Sequence, residues 1–327
     1  MRIPRFEYHA PETIDKAFGL LKKLGEKASL AAGGTDILVS MKQRLITPEH
    51  VISLSGISGM DRIFFDSRKR LIIGARVSLT QLSRSPLLRD HYPAIARAAY
   101  LVATGQIRNM ATLGGNICQN TRCRYYNRTY EWQKTVIPCF KRGGNICHVV
   151  KNSKRCFAVY QGDLAPAIIA LNGKVTLTSP EGTKQMPLEE IFTGDGKAPF
   201  NMSHNTILTD IEIPASGVPH LSLYRKYRIR DGVDYPLAGV AIGLQRNGDG
   251  INTMRICITG TWSSPVLVKD VEKLIAGNDL TRTNIKKLAE AAFNAVHPLD
   301  NAEDTPVHRR EMVRLMVEEM LTELSRK

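Results

Sequence analysis

Ile14, Ala17, Phe18, Leu21 and Leu24 recur at three- and four-residue spacing, which predicts an amphipathic helix over residues 11–27, started by Thr13 or by Pro11-Glu12. The apolar run Ser29-Leu30-Ala31-Ala32 predicts a strand. Gly33-Gly34-Thr35-Asp36 breaks it, and Ile37 to Gln43 returns to helical spacing. Val51–Leu54 and Leu71–Ala75 predict short strands, whereas residues 79–84 and 92–103 predict helices. The first third of the chain therefore alternates helix and strand.

The pattern changes further on. Leu164–Leu171 predicts an apolar helix or another buried element, Asn172-Gly173 opens a strand over Lys174–Thr178, and Pro180-Glu181-Gly182 turns the chain. Residues 193–206, rich in Gly, Asn and Pro, mark a candidate boundary region. Ile207–Ile213, Leu221–Ile229, Ala238–Gln245 and Met254–Thr259 then predict four strands, the last two joined by a hairpin turn at Gly248-Asp249-Gly250. Residues 266–275 and 284–296 predict amphipathic helices. Residues 307–325 predict a longer one, whose stripe Val313, Met316, Val317, Met320, Leu321 and Leu324 is most simply core packing.

A length of 327 residues suits two domains, and 43% hydrophobic with 23% charged residues excludes wholesale disorder. The N-terminus lacks the pattern of a signal peptide and no apolar run reaches the length of a membrane span, so a cytoplasmic protein with reduced thiols is expected. The formal net charge of +14 first suggests an acidic partner. Its distribution narrows that reading. Residues 118–156 hold nine basic residues and one acidic residue, Glu131, together with five of the six cysteines. Whatever explains the charge must also explain the thiols.

Two turns carry candidate chemistry: Ala32-Gly33-Gly34-Thr35-Asp36 and Thr112-Leu113-Gly114-Gly115-Asn116. Neither runs into Gly-Lys-Ser/Thr or has G-x-G-x-x-G spacing. Paired glycines let backbone N–H groups approach an anion closely, and two such turns can hold the two phosphates of one pyrophosphate. Either alone is more simply a tight turn; the pair makes a dinucleotide competitive. The cysteines, spaced C-x4-C-x15-C-x7-C-x8-C, lack the C-x2-C pair of zinc ribbons and the usual ferredoxin run. Five thiols in one basic loop argue for a metal, with zinc and iron–sulfur both open and the spare cysteine unassigned. His148 is a further candidate ligand, more simply an outer-sphere or exposed residue. Tyr125, Tyr126, Tyr130, Trp132, Phe140, Phe157 and Tyr160 can supply an apolar shell. A basic nucleic-acid-binding protein with a structural zinc would account for the charge but would leave the glycine turns unused.

Together these motifs resemble the flavoprotein subunits of the xanthine oxidase and CO dehydrogenase family, whose FAD pyrophosphate motifs the two glycine turns match. Gly162-Asp163-Leu164-Ala165-Pro166, the Tyr224–Ala238 stretch and Val307-His308-Arg309-Arg310 extend the resemblance over nearly the whole chain. The cysteine segment intervenes where most members have a short loop. With the strings 116–123, 146–150 and 228–240, it resembles the branch formed by the β subunits of 4-hydroxybenzoyl-CoA reductases. The resemblance implies an α+β fold: a two-part FAD-binding domain of the PCMH or vanillyl-alcohol-oxidase type over residues 1–178, with an iron–sulfur insertion at about 118–160. A CO-dehydrogenase-flavoprotein-like C-terminal domain, an antiparallel sheet with helices, would follow over 179–327.

The same resemblance implies two cofactors, FAD and a [4Fe–4S] cluster. FAD contacts are implied at Ala31, Ala32, Gly33, Gly34, Thr35, Asp36, Ile37, Val102, Thr112, Leu113, Gly114, Gly115, Asn116, Asp163 and Lys226. Cys123, Cys139, Cys147 and Cys156 are the implied cluster ligands, which leaves Cys118 spare. No residue is implied in substrate chemistry. The implied role is electron transfer from a reduced acidic ferredoxin through the [4Fe–4S] cluster and FAD to a [2Fe–2S] subunit and a molybdopterin-binding catalytic subunit. The latter would remove the phenolic hydroxyl of 4-hydroxybenzoyl-CoA reductively, in anaerobic aromatic degradation. A dimer of heterotrimers is implied, with no nucleic-acid or membrane partner. The same residues would serve a flavin subunit whose molybdenum partner acts on another phenolic or heterocyclic substrate.

Overall fold

Thr13 caps the first helix as its position predicts: in the computed structural model, which describes residues 2–216, 218, 220–247, 250–275 and 279–326, its side chain accepts from the Lys16 amide. Strand β1 (Glu7–His9) precedes this helix, α1 (Ile14–Leu24), which stops at Gly25 with φ 55°. Strand β2 (Ala28–Ala31), helix α2 (Ile37–Lys42) and strand β3 (His50–Ser53) follow, and the three strands pair in parallel in the order β1-β3-β2.

Strands β4 (Ile63–Phe65) and β5 (Leu71–Gly74) open a second sheet. Next come α3 (Leu79–Arg84), α4 (Pro86–His91), α5 (Pro93–Leu101), α6 (Gly105–Met110) and α7 (Leu113–Ile117). Pro86 and Pro93 each sit in the first turn of a helix, where the missing N–H costs nothing, so the stretch is divided into short helices. The cysteine segment carries α8 (Tyr130–Lys134) and is otherwise mostly irregular. After it come α9 (Leu164–Ala170), buried along its whole length, and β6 (Lys174–Ser179), β7 (Gly182–Pro187) and β8 (Ile207–Ile213). The second sheet is antiparallel in the order β4-β5-β8-β6-β7. Strands β7 and β8, which the implied boundary after residue 178 would place in the C-terminal domain, are thus hydrogen-bonded to β5 and β6. The separation between sheets falls between β8 and the next strand.

That strand, β9 (His220–Tyr227), forms a third sheet with β10 (Ala238–Asn247), β11 (Gly250–Thr259) and β12 (Val266–Leu267), in the order β12-β11-β10-β9. Asn247 pairs with Gly250 across the expected hairpin; Gly248 and Asp249 lie outside the described residues. Helices α10 (Arg282–Ala295) and α11 (Pro306–Leu324) complete the chain. The helix expected at 266–275 does not form. Val266 and Leu267 instead pair with Ile258 and Cys257, and Asp270 with φ 55° interrupts the backbone before a single 3₁₀ turn at Val271–Leu274. No described helix is long and apolar enough to cross a membrane.

The third sheet is covered on both faces, and β10 shows why. Ala238, Val240, Ile242 and Leu244 pack with α10 and α11, whereas Ala241, one residue out of phase, joins the core around α9. A Cβ on Gly243 would stand 2.3 Å from the Ala170 carbonyl oxygen, so the glycine lets α9 lie directly on the sheet. The stripe on α11 is core as predicted: Val313, Met316, Val317, Met320, Leu321 and Leu324 are all buried.

Arg309 of α11 is completely buried and has no carboxylate within ion-pair distance among the described residues. Its guanidinium donates to the carbonyls of Leu237 (3.0 Å), Leu299 (2.9 Å) and Gly260. Burial depresses its pKa to about 10, with nearby Asp304, Glu303 and Asp300 opposing the shift. Replacing it by Met takes the Arg309 donors from the Leu237 and Gly260 carbonyls, whereas Leu299 keeps the Asn301 amide at 2.8 Å. Arg309→Met is expected to lower the unfolding free energy by roughly 3 kcal/mol in denaturant titrations. A loss well below about 1 kcal/mol would show that the carbonyls find other partners.

Candidate functional site

The turn that follows β2 opens into a cavity of about 780 Å³. Ala31, Ala32, Gly33, Gly34, Thr35, Asp36, Ile37, Val102, Thr112, Gly114, Gly115, Asn116 and Asp163 all line it. Among the residues expected to touch FAD, Leu113 and Lys226 do not line it. Leu113 is fully buried in the core, and Lys226 stands behind Asp163.

The two glycine turns differ in what they offer. In the first, the amides of Gly33, Gly34, Thr35 and Asp36 donate to no protein acceptor among the described residues, while Gly34 takes φ 75°. A Cβ on Gly33 would stand 1.8 Å from the Met110 carbonyl oxygen, so only glycine fits there. In the second turn the amides are engaged. Leu113 donates to the Val77 carbonyl (2.9 Å), Gly114 to the Ala75 carbonyl (2.8 Å) and Gly115 to Thr112 Oγ1 (3.1 Å). The first turn therefore supplies free donors, and the second supplies shape, with Gly114 packed against Ala75.

Asp163 is held from two sides. Tyr224 donates its hydroxyl to Oδ1 at 2.7 Å, and Lys226 Nζ lies 3.1 Å from Oδ1 while also donating to the Leu101 carbonyl at 3.1 Å. Lys226 is not a solvated strand lysine: its side chain is 1% exposed. Burial lowers the Lys226 pKa, and Asp163 opposes the shift.

Several cavity residues carry no sequence signal as FAD contacts. Gln119 is buried with its Nε2 lacking any partner, a donor aimed at nothing within the chain. Arg122 sits 3.5 Å from Asp36 and lies over the Tyr235 ring at 4.3 Å, and all three line the cavity. Burial raises the Asp36 pKa, opposed by Arg122. Ala103 adopts φ 41° on the cavity wall, a strained conformation for a residue with a Cβ. Gln119, Arg122 and Tyr235 do lie inside the strings that carry the family resemblance.

The thiols are sorted by the fold. Cys123, Cys139, Cys147 and Cys156 line a second, small cavity of about 20 Å³, and Cys118 lines the large one. The main chain of Arg122 exchanges hydrogen bonds with Val159 (2.8 and 2.7 Å), which fixes Cys123 near Cys156. Cys139 bridges to Ile146, and the turn between them needs Gly143 at φ 80° and Gly144 against the Pro138 carbonyl. Burial pushes the Cys123 thiol to about 12 and the Cys156 thiol to about 11, and neighbouring thiols add to both shifts. Burial raises the Cys118 thiol to about 12 as well, so it is the shared pocket and not the shift that sets these four cysteines apart.

Among the described residues, the sole trio of His, Cys, Asp or Glu ligand atoms mutually within 4.8 Å is Glu7, His9 and His50, so no three of these sulfurs lie that close together. Thiolates on one zinc ion, each about 2.3 Å from it, stand about 3.8 Å apart. The four sulfurs are thus not gathered at that spacing among the described residues. Of the expected aromatic shell, Tyr125, Tyr126, Phe140 and Phe157 line this pocket. Tyr130, Trp132 and Tyr160 do not; Tyr160 is buried elsewhere, donating to the Ile117 carbonyl at 2.8 Å. His148 stacks on Tyr125, and its Nε2 is 2.8 Å from the Ile137 carbonyl, which occupies that nitrogen. The two cavities share a wall: Arg122 faces one and Cys123 the other.

Residues 4–216 match the family model for the FAD binding domain in molybdopterin dehydrogenase, and residues 222–324 match that for the CO dehydrogenase flavoprotein C-terminal domain. The chain is 26% identical over 319 residues to the carbon monoxide dehydrogenase medium chain of Hydrogenophaga pseudoflava, covering 97% of this chain and 96% of that one. It is 30% identical over 294 residues to the aldehyde oxidoreductase FAD-binding subunit PaoB of Escherichia coli (strain K12), covering 85% and 86%. The structure of the H. pseudoflava CO dehydrogenase lacking the Mo-pyranopterin moiety of its molybdenum cofactor aligns with a TM-score of 0.78 at 26% identity, over 98% of this chain and 96% of that one. Quinoline 2-oxidoreductase from Pseudomonas putida 86 shares the fold, with a TM-score of 0.78 at 18% identity over 100% and 99% of the two chains.

The contrast between the turns yields a test. Gly33→Ala forces the free-amide turn away from Met110 and is expected to weaken FAD binding at least about tenfold, roughly 1.4 kcal/mol. Gly115→Ala, whose Cβ would meet only Thr112 Oγ1 at 3.0 Å, is expected to cost less. Equal losses in a flavin fluorescence titration would contradict this division.

Proposed function

This chain belongs to the family of FAD-binding subunits of molybdopterin-containing dehydrogenases and is the FAD-binding oxidoreductase subunit of a molybdenum hydroxylase complex, and we propose that within that family it is a flavo-iron–sulfur electron-transfer subunit. The observation that supports the reading is the convergence of Cys123, Cys139, Cys147 and Cys156 on one pocket that abuts the flavin cavity, with Cys118 kept out of it. These four residues would hold a [4Fe–4S] cluster. The first glycine turn, Gln119 and Asp163 would hold FAD. When bound, the cluster supplies one-electron transfer and the flavin both one- and two-electron transfer.

What the chain's own residues contribute is binding, insulation and charge. The free amides of residues 33–36 suit a pyrophosphate. Asp163, fixed by Tyr224 and Lys226, presents an acceptor at 2% exposure. Tyr125, Tyr126, Phe140 and Phe157 limit water at the cysteines. Reducing equivalents from an acidic ferredoxin would cross this chain to a [2Fe–2S] subunit and a molybdopterin-binding subunit. The latter would carry out the reductive dehydroxylation of 4-hydroxybenzoyl-CoA. The support for that branch is the insertion itself and the strings flanking it. Its outward cations Arg128, Lys151, Lys154 and Arg155 would steer an acidic donor.

Iron analysis and electron paramagnetic resonance of the purified complex test the ligand set. Cys139→Ser is expected to abolish the cluster signal of this subunit while FAD stays bound, and Cys118→Ser is expected to leave both. A cluster signal surviving Cys139→Ser would refute the assignment. Separately, raising ionic strength is expected to slow reduction by an acidic ferredoxin, and Lys151→Glu with Lys154→Glu to slow it further at low salt. A rate indifferent to both changes would remove the insertion as the docking face.

A further inference from the structure

The N-terminal sheet places three ligand-bearing side chains on one face by strand geometry alone. In the parallel pair β1–β3, Glu7 stands directly opposite His50. His9 follows two residues after Glu7 and so projects to the same side. The three side chains close into a triangle, each histidine facing a different carboxylate oxygen: His9 Nε2 to His50 Nδ1 is 3.1 Å, His9 Nε2 to Glu7 Oε1 is 3.7 Å, and His50 Nδ1 to Glu7 Oε2 is 3.4 Å, and one ligand atom from each lies within 4.8 Å of the others. Two donors each about 2.1 Å from one ion stand about 3.0 Å apart at a right angle and about 3.4 Å apart at the tetrahedral angle. The triangle thus has the size that a single small cation sets, in contrast to the wider spread of the cysteine sulfurs.

The surroundings suit the same use. Both histidine side chains are 18% exposed, so their rings are held in place, while Glu7 at 66% leaves the open side toward solvent. Glu7 is paired with the two histidines and with no Lys or Arg among the described residues. The rings meet at 5.3 Å between centroids and 41° between planes, tilted rather than stacked. In the metal-free protein one imidazole donates to the other. A shift of that ring to its other tautomer frees both lone pairs, with no net gain or loss of protons.

We propose that Glu7, His9 and His50 form a binding site for a divalent cation of the zinc class, with water completing the coordination. Two imidazoles and one carboxylate are a donor set for zinc, nickel or copper rather than for magnesium or calcium. The cation would clip β1, a three-residue edge strand, onto β3. It lies at the end of the sheet where Ala28 pairs with His50, whereas the cavity begins at Leu30, about 7 Å along the strand. A structural clip at that distance stabilises the fold without entering the redox chemistry.

Equilibrium dialysis of the assembled, FAD-loaded protein against zinc chloride tests this, with iron and FAD content followed in parallel. The wild-type chain is expected to take up one more zinc ion than the His9→Ala, His50→Ala double variant and to gain melting temperature with zinc. Glu7→Gln, an exposed change that folding tolerates, is expected to bind zinc at least about tenfold more weakly. Equal uptake by the wild type, the double variant and Glu7→Gln overturns the proposal. So does zinc that is lost in Cys139→Ser but kept in the histidine variants, because that ion belongs to the cysteine pocket.

Discussion

A single buried guanidinium draws together three carbonyls of the C-terminal part, beside the residues that hold the cysteine loop. Arg309 reaches from α11 to the carbonyl before β10, the carbonyl after β11 and the carbonyl of Leu299. Asn301, two residues on, donates its side-chain amide to the Phe157 carbonyl at 2.7 Å, and its own carbonyl accepts from the Arg124 amide at 3.1 Å. Gly260, whose carbonyl Arg309 holds, gives its amide to Tyr160. The guanidinium has five donors and no way to shed its charge cheaply, so the carbonyls around it must stay where they are. The helix and the ends of two central strands are therefore positioned by one group, and Asn301 and Gly260 beside it hold both exits of the insertion.

That arrangement lets two sites of different character share a wall. On one side the backbone is turned outward as free N–H groups, and the buried acid is matched by a buried base. On the other, side-chain sulfur dominates and the nearest amine, Lys141, is consumed by Thr121 and Asn120 at 2.6 to 2.8 Å. Burial brings the Lys141 pKa down to about 8, while the thiols and Asp36 oppose the shift. A cation in that position favours negative charge on both sides of the wall, at the cysteines and at Asp36. Low dielectric makes such a preference stronger than it would be at a surface.

Much of this was legible in the sequence, for identifiable reasons. Helices with a clear apolar face, such as α1 and α11, were visible because burial demands a 3.6-residue period. The glycine turns and the cysteine segment stood out because their chemistry needs unusual residues. The failures have equally local causes. β8 lies beyond the boundary region at 193–206 yet joins the sheet of β5 and β6, because a strand's pattern records that it is buried but not against what. The false helix at 266–275 arose because a two-residue edge strand and a 3₁₀ turn leave no periodic trace. Arg122, Gln119 and Tyr235 were missed as cavity residues because an arginine, an amide and a tyrosine look like surface until the fold closes over them. The difference between the two glycine turns was beyond any reading of the chain, since it depends on Val77 and Ala75 meeting the second turn's amides.

The basic segment also changes meaning once its partners are known. Nine cations in 39 residues suggest a broad positive surface. Several face inward or are neutralised: Arg122 meets Asp36, Arg124 pairs with Asp300 at 2.7 Å, Lys134 pairs with Glu131, Lys141 is held by Thr121, and Arg142 donates to the Gln133 carbonyl at 2.6 Å. Arg155 remains exposed but lies over the Phe157 and Trp262 rings. The inward cations are structural, bracing a loop too rich in turns to hold itself by regular hydrogen bonding. What is left for a partner is a small group, Lys151 and Lys154 beside Arg155, with Arg128 on the loop's other limb. Charges so few, set beside Cys156, offer no continuous track of the kind from which a long polyanion gains.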